Sequence, residues 1–387
     1  MCALCAAFAL GARSQVVVDT TFSDRRQPEA FSVAVPDGNY LVTVTLGSRR
    51  RAAETTVRAE SRRLFVENFP TRRKELKTFR FVVNKRSPRI DDRRRVRIKE
   101  RETTYNDWDD MLSLEFNGKS PAVARLRIER DTSATTLFLC GNSTVVDQSD
   151  EPWASWGQMI TRWFGPDVAV SNHAESGLTA GSFLASLRLE KVLAMLRPGD
   201  YVLCEFGHND QKERAPGAGA WYNFSQNLKI FIDRVRAAGG IIVFATPTQR
   251  RAFDAERRHI VETHGDYPDA MRAVARREQV PLIELHDMTR TFFETLGYED
   301  SKRALVHYPA HAFPGQDKPL ADNTHFNPYG AYEVAKMVVM GMKALRLPLV
   351  EGLRPDFADF SPDRPDDFNR FVWYPARRAD VTKPDGN

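Results

Sequence analysis

Apolar and polar residues alternate along the first third of the chain, and then the rhythm changes. From Val16 to about Arg130, short runs such as "FSVAVP", "YLVTVTLG", "LFVENF", "LKTFRFVVN" and "AVARLRIER" place apolar side chains at every second position. That period gives a strand one face for a core and one for solvent. So many runs, separated by turns such as "PDGN", predict an all-β sandwich over residues 16–131. After "RDTSAT" the apolar runs become continuous ("TLFLC", "VAVSN", "YVLCEF", "IIVFATP", "PLIEL") and alternate with longer helical stretches such as "NFSQNLKIFIDRVRAAGG". Strands apolar on both faces, alternating with helices, predict a parallel sheet covered on both sides, an α/β domain over residues 135–348. The Pro- and Asp-rich residues 349–387 are predicted to form an extended tail along the surface, with Phe371, Trp373 and Tyr374 packed down and the last residues loose.

Composition changes this picture little. A chain of 387 residues with 42% hydrophobic content suffices for two cores. Its net charge of +5 is the balance of 56 basic and 51 acidic residues. The densest basic run, "DDRRRVRIKER", is flanked and interrupted by acids, which reads as a solvated loop and strand edge and not as a nucleic-acid site. Four cysteines are too few for a disulfide framework, and Cys140 and Cys204 fall in apolar strands as free core thiols. The opening "MCALCAAFALGARSQ" has small residues at Ala7 and Ala9 but no basic start. Residues 1–15 therefore read either as a signal-peptide remnant, which would send the protein to the periplasm or outside the cell, or as an apolar segment packed on the first domain. No run approaches the roughly 18 apolar residues of a membrane span.

In a parallel sheet, ligands bind beyond the carboxyl ends of the strands, so the polar residues there are the candidates for chemistry. Four clusters qualify: Gly141-Asn142-Ser143-Thr144, Glu175-Ser176-Gly177, Gly207-His208-Asn209-Asp210 and Asp322-Asn323-Thr324-His325. A serine becomes a nucleophile when a base takes its proton, and a histidine base needs a third group to hold its tautomer. Asp322 and His325, three residues apart on one turn ahead of a helix, can be that pair. The backbone N–H groups of Ser143 and Gly177 and the Asn209 amide can receive the oxyanion of acyl transfer. Singly, each has an ordinary structural reading: Ser143 or Asp322 as a helix cap, Gly177 as a turn glycine, Asn209 as partner to a loop carbonyl.

Together and in this order, these motifs closely resemble the SGNH (GDSL-like) hydrolases. The stretches "GNSTVVDQSDEPWASWGQM", "NHAESG", "FGHNDQK" and "ADNTHFNPYGA" look like the rhamnogalacturonan acetylesterases within that family. The resemblance covers the second domain, and the β-rich half looks like an accessory domain of some bacterial members. It implies a three-layer SGNH-like fold, with Ser143 as nucleophile, His325 as general base and then acid, and Asp322 as its orienting carboxylate. It further implies an oxyanion hole of Ser143, Gly177 and Asn209, with no metal and no cofactor. The chain departs from the family in one place, with Asn142 where the pattern has Asp.

The implied reaction removes acetyl from acetylated pectic polysaccharide through an acyl-serine. For an anionic polymer, Arg250, Arg251 and His264 are candidates to hold a carboxylate, His208 to border the pocket, and Trp221 to stack on a sugar ring. Salt bridging and internal hydrogen bonds are the ordinary readings for these. Trp153 and Trp156, at helical spacing, read as core. Other function classes remain: an esterase for another acetylated polymer, a lipid or a simple ester, or a carbohydrate binder without turnover. The lack of an apolar lid counts against lipid.

Overall fold

The structure, a computed structural model, describes residues 15–385, so the segment read as a signal-peptide remnant lies outside it except for Gln15. The first half contains eight strands: β1 (Val16–Thr21), β2 (Ala30–Ala34), β3 (Gly38–Leu46), β4 (Ala53–Ala59), β5 (Arg63–Thr71), β6 (Lys77–Lys85), β7 (Met111–Ser120) and β8 (Val123–Asp131). They form two antiparallel groups, β1-β8-β3-β6 and β2-β7-β4-β5. Every second side chain of these strands, among them Val42, Val44, Phe81, Val83, Leu126 and Ile128 from one group and Val57, Phe65, Leu112, Leu114 and Phe116 from the other, enters a shared core.

The second half adds β9 (Thr135–Gly141), β10 (Val168–Asn172), β11 (Tyr201–Glu205), β12 (Ile241–Ala245) and β13 (Leu282–Ile283), paired in parallel in the order β10-β9-β11-β12-β13. Their continuous apolar runs are explained by two cores. Leu137, Leu139, Val170, Leu203 and Val243 face one side, under α1 (Trp156–Met159), α6 (Leu285–Asp300) and α7 (Pro328–Ala344). Phe138, Cys140, Val202, Cys204 and Phe244 face the other, under α2 (Ala180–Ala185), α3 (Arg188–Met195), α4 (Ser225–Ala237) and α5 (Tyr267–Arg277). Cys140 and Cys204 are free and buried. This is an α/β domain of three layers. Among the described residues no helix is long and apolar enough to cross a membrane.

The sequence suggested two separate units, but one sheet runs through both. β6 pairs in parallel with β10, Val82 opposite Ala169 and Val83 opposite Val170, giving a nine-stranded mixed sheet. Buried charges cross the same boundary. Arg63 is fully buried and reaches Asp147 Oδ2 at 2.6 Å, Asp107 Oδ1 at 3.1 Å and the Asn84 carbonyl at 2.8 Å. Arg62 donates to the Trp153 carbonyl at 2.8 Å and pairs with Glu151 at 2.7 Å. The β-rich half therefore holds the loop that follows Ser143.

The tail also differs from expectation. Phe371 and Trp373 do pack against the core, and the Tyr374 hydroxyl donates to Glu54 at 2.5 Å. Up to Asp385, the last described residue, the tail is tied down: Asp380 donates its N–H to the Glu151 carbonyl at 2.9 Å, and Asp385 is paired with Lys99 and Arg101.

Candidate active site

Strand β9 lies between β10 and β11, so the chain leaves its carboxyl end where the connections turn to opposite sides of the sheet. That opens the crevice in which open α/β sheets bind ligands. Ser143 stands there. The turn that presents it is held by Asn142, whose Oδ1 accepts from Thr144 N–H at 3.1 Å and lies 3.0 Å from its hydroxyl. The carbonyl of Asn142 also accepts from Val145 and Val146, each at 3.0 Å. The amide oxygen thus does the acceptor work available to an aspartate, which explains how the turn keeps its shape without one.

Asp322 and His325 arrive from elsewhere in the fold. They lie on β15 (Leu320–Phe326), paired with β14 (Leu305–Tyr308), and not on a free turn. The ladder is irregular between Leu305 and His307, so residues 322–325 leave the register and two side chains three positions apart meet on one side. His325 Nε2 is 3.0 Å from Ser143 Oγ and its Nδ1 is 2.9 Å from Asp322 Oδ2. Asp322 Oδ1 also accepts the backbone N–H groups of Thr324 at 2.7 Å and His325 at 2.8 Å. Burial alone would raise this carboxyl's pKa, but the bonds from His325 and the two N–H groups outweigh it and hold Asp322 well below the usual range, an ionised partner for imidazole. Trp153 packs edge-on against the His325 ring, centroids 5.5 Å apart.

Gly177 has φ +80°, where a side chain would be strained. Asn209 is 5% exposed, and its amide donates to the Leu178 carbonyl at 3.1 Å, leaving its second N–H for another acceptor.

Of the residues expected to touch substrate, three are buried with their polar atoms engaged by the protein itself. His264 is fully buried, with Nε2 3.0 Å from His208 Nδ1. Arg251 is 6% exposed and spends its guanidinium on Ser301 Oγ at 2.9 Å, Asn323 Oδ1 at 3.2 Å and the Tyr298 carbonyl. It props β15 from behind. His208 is also buried, bonded to Thr248 Oγ1 at 3.0 Å and lying behind Asn209. Arg250 is half-buried and donates to the carbonyls of His208 at 3.0 Å and Thr263 at 3.3 Å. Trp221 is 53% exposed, with its indole N–H on Asp266 at 3.0 Å. Ligand-type atoms of Glu262, His264 and His286 lie within 4.8 Å of one another, a spacing that can hold a cation; here Glu262 bonds both imidazoles instead.

Sequence reasoning missed Glu205, the last residue of β11. It is fully buried and accepts from Trp156 Nε1 at 2.6 Å, Thr144 Oγ1 at 2.8 Å and Thr248 N–H at 3.2 Å, so it clamps the turn carrying Ser143. A charged residue closing an apolar strand was the available signal.

Burial pushes Glu205 and Asp210 up to about 7 and Glu60 up to about 8. For Glu175, burial and neighbouring Glu102 outweigh Arg101 and also raise it to about 7. These acids keep protons when folded that the unfolded chain releases above about 4.5, so their contribution is lost as pH rises through 7 to 8. Burial lowers His173, His208 and His264. Their contribution runs the other way and is complete once pH passes the unfolded value of 6.5. Stability is therefore expected to fall by about 2 kcal/mol between about pH 6.5 and 8.5. Urea unfolding at the two pH values checks this, and a rise over the interval would contradict it.

The chain is similar to several known proteins. The GDSL-like Lipase/Acylhydrolase family matches residues 139–331. The chain is 42% identical over 219 residues to the rhamnogalacturonan acetylesterase RhgT of Bacillus subtilis, spanning 56% of this chain and 93% of that protein. It is 30% identical to the probable rhamnogalacturonan acetylesterase YesY of the same organism, over 57% of this chain and 98% of that one. The crystal structure of the Bacillus subtilis YxiM protein superposes with a TM-score of 0.50 at 25% identity, over 82% of this chain and 81% of that one, and so extends across the β-rich half as well. A relative this similar, matched over nearly its whole length, places the chain in a family: it belongs to the GDSL-like lipase/acylhydrolases, the SGNH hydrolases.

Proposed function

We propose that the protein is a serine esterase that removes acetyl groups from acetylated pectic rhamnogalacturonan. The observation that carries this is the unbroken line from Asp322 through His325 to Ser143, with both hydrogen bonds at 3.0 Å or less, at the crevice of the sheet. His325 Nε2 takes the Ser143 proton as Oγ attacks the acetyl carbonyl, while Asp322 fixes the Nδ1–H tautomer and stabilises the imidazolium. The N–H groups of Ser143 and Gly177 and the second N–H of Asn209 receive the oxyanion. His325 then returns the proton to the departing sugar oxygen. Water, deprotonated by the same imidazole, releases acetate from the acyl-serine.

The 42% identity to RhgT supports the pectic substrate. In this reading residues 16–131 are an accessory β-sandwich module built onto the hydrolase, Arg250 and Trp221 face the polymer, and an enzyme for so large a substrate works outside the cytoplasm. The test is acetate release by the wild-type enzyme from acetylated rhamnogalacturonan beside acetylated xylan. Rhamnogalacturonan should be preferred by about 1–3 kcal/mol in kcat/KM, the value of a few specific polar contacts. Equal release from both would leave a carbohydrate acetylesterase of broad specificity, and release of acetate from neither, with aryl acetates also untouched, would sink the esterase reading.

A further inference from the structure

We infer that Lys99 and Arg101, supplied by the β-rich half, form a subsite for a substrate carboxylate at the mouth of the active site, and that Asp385 of the chain's own C-terminal segment occupies it until substrate arrives. The inference deepens the proposed function and rests on it for the identity of the carboxylate, a uronate of the polymer.

Lys99 and Arg101 end the basic run "DDRRRVRIKER". Arg93, Arg94 and Arg95 in that run are exposed to solvent, but these two turn toward the site. Lys99 Nζ donates to the Ser176 carbonyl at 2.6 Å and to Asp385 Oδ2 at 2.9 Å. Arg101 Nη1 is 3.3 Å from the same oxygen, while its Nη2 is tied to buried Glu175 and to the Ser176 carbonyl. Two cations fixed from behind thus converge on one carboxylate. Its location is the telling fact: a Cβ added to Gly177 would lie 2.8 Å from Asp385 Cβ and 3.1 Å from Lys99 Nζ. Asp385 at its Cβ, and the Lys99 ammonium that holds its carboxylate, thus lie against the glycine whose N–H faces the reacting carbonyl in the proposed mechanism.

The segment carrying Asp385 crosses the site on its way there. Ala379 bridges Glu151, the Asp380 carbonyl accepts from Trp153 Nε1 at 2.8 Å, and Lys383 Nζ lies 3.4 Å from Asp322 Oδ2. Under it, Ser143 is only 5% exposed and His325 1%. Asp385 itself is 56% exposed and its partners Lys99 and Arg101 are 31% and 29% exposed. Ion pairs this open are worth roughly 0–1 kcal/mol, so a uronate that adds sugar contacts can displace the aspartate. Arg101, held in place by Glu175, presents a pre-positioned fork suited to a carboxylate.

The test uses the full chain, with a neutral aryl acetate as reporter and two competitive inhibitors: an unacetylated galacturonate oligosaccharide and the same oligosaccharide with its carboxyls reduced to alcohols. The quantity read is the ratio of Ki for the reduced form to Ki for the acid form, which a general loss of activity does not move. Lys99→Ala should lower this ratio about tenfold, Lys99→Arg should restore most of it, and Asp385→Asn should raise it about threefold, as expected for charge-assisted bonds won and a competitor removed. A ratio near one in the wild type, or the same ratio in wild type and Lys99→Ala, overturns the inference. Absence of acetate release from acetylated rhamnogalacturonan would remove the polymer assignment alone, since the Ki ratio still decides whether the subsite reads a carboxylate.

Discussion

Replacing Ser143 with Ala is expected to lower kcat on aryl acetates on the order of 10⁴- to 10⁶-fold while leaving the thermal midpoint within a few degrees of wild type. The side chain makes one hydrogen bond, to His325 Nε2, and the turn that presents it is held by Asn142, Thr144 and Glu205 without using the serine hydroxyl. Loss of Oγ therefore removes the attacking atom and little else. What remains, the donors around the carbonyl and the binding surface, accounts for the residual rate over water. Single-turnover release of the aryl alcohol is the measurement. A variant retaining more than about a hundredth of wild-type kcat would mean that water, activated by His325, attacks the ester directly and that no acyl-serine forms.

The second large effect concerns a residue remote from the reacting atoms. Arg63→Leu is expected to cost about 3–5 kcal/mol of stability, the range for breaking a buried ion pair from one side. Arg63 has no exposed surface, and its loss leaves Asp147 and Asp107, themselves 1% and 2% exposed, without their closest cation. Asp147 is already pushed up to about 6 by burial in spite of Arg63, and without that pull it would take a proton at neutral pH. Its Oδ1 also receives the Asn172 amide at 2.8 Å, so the loop after Ser143 loosens with it. Converting Asp147 to Asn in the same chain should recover part of the loss, because an amide is neutral there without having to take up a proton. Urea unfolding of the single and double variants measures both. A loss below about 1 kcal/mol for Arg63→Leu would mean the pair is solvated, contrary to its burial.

These two residues mark what the sequence could and could not convey. Ser143, Asp322 and His325, which the structure brings into one hydrogen-bonded line, were legible because each follows a recognisable strand or precedes a helix and because the motifs carrying them together resemble a known family. The strands β9 to β12 were legible for a related reason: burial on both faces turns alternation into a solid apolar run. Arg63 was not, because an arginine among alternating residues reads as solvent-facing, and the acids that make its burial tolerable lie 44 and 84 residues away. Arg251 and His264 misled for the converse reason, since charge near a strand end suggests a ligand while their partners, Ser301 and His208, are 50 and 56 residues distant. Glu205 and the C-terminal segment belong with them, each defined by long-range pairing that no periodicity records.

The pairing of β6 with β10 has one more implication. All five residues of β10 are buried, and its backbone N–H and C=O groups would otherwise be the open border of the parallel sheet, a template on which a second chain could dock strand to strand. The β-rich half closes that border with its own strand and carries the sheet on to β1, whose pattern of exposed and half-exposed residues, with Asp19 paired to Arg125 and Arg127, presents charge at the new margin. The first third of the chain therefore covers an edge on which a strand of another chain could otherwise pair.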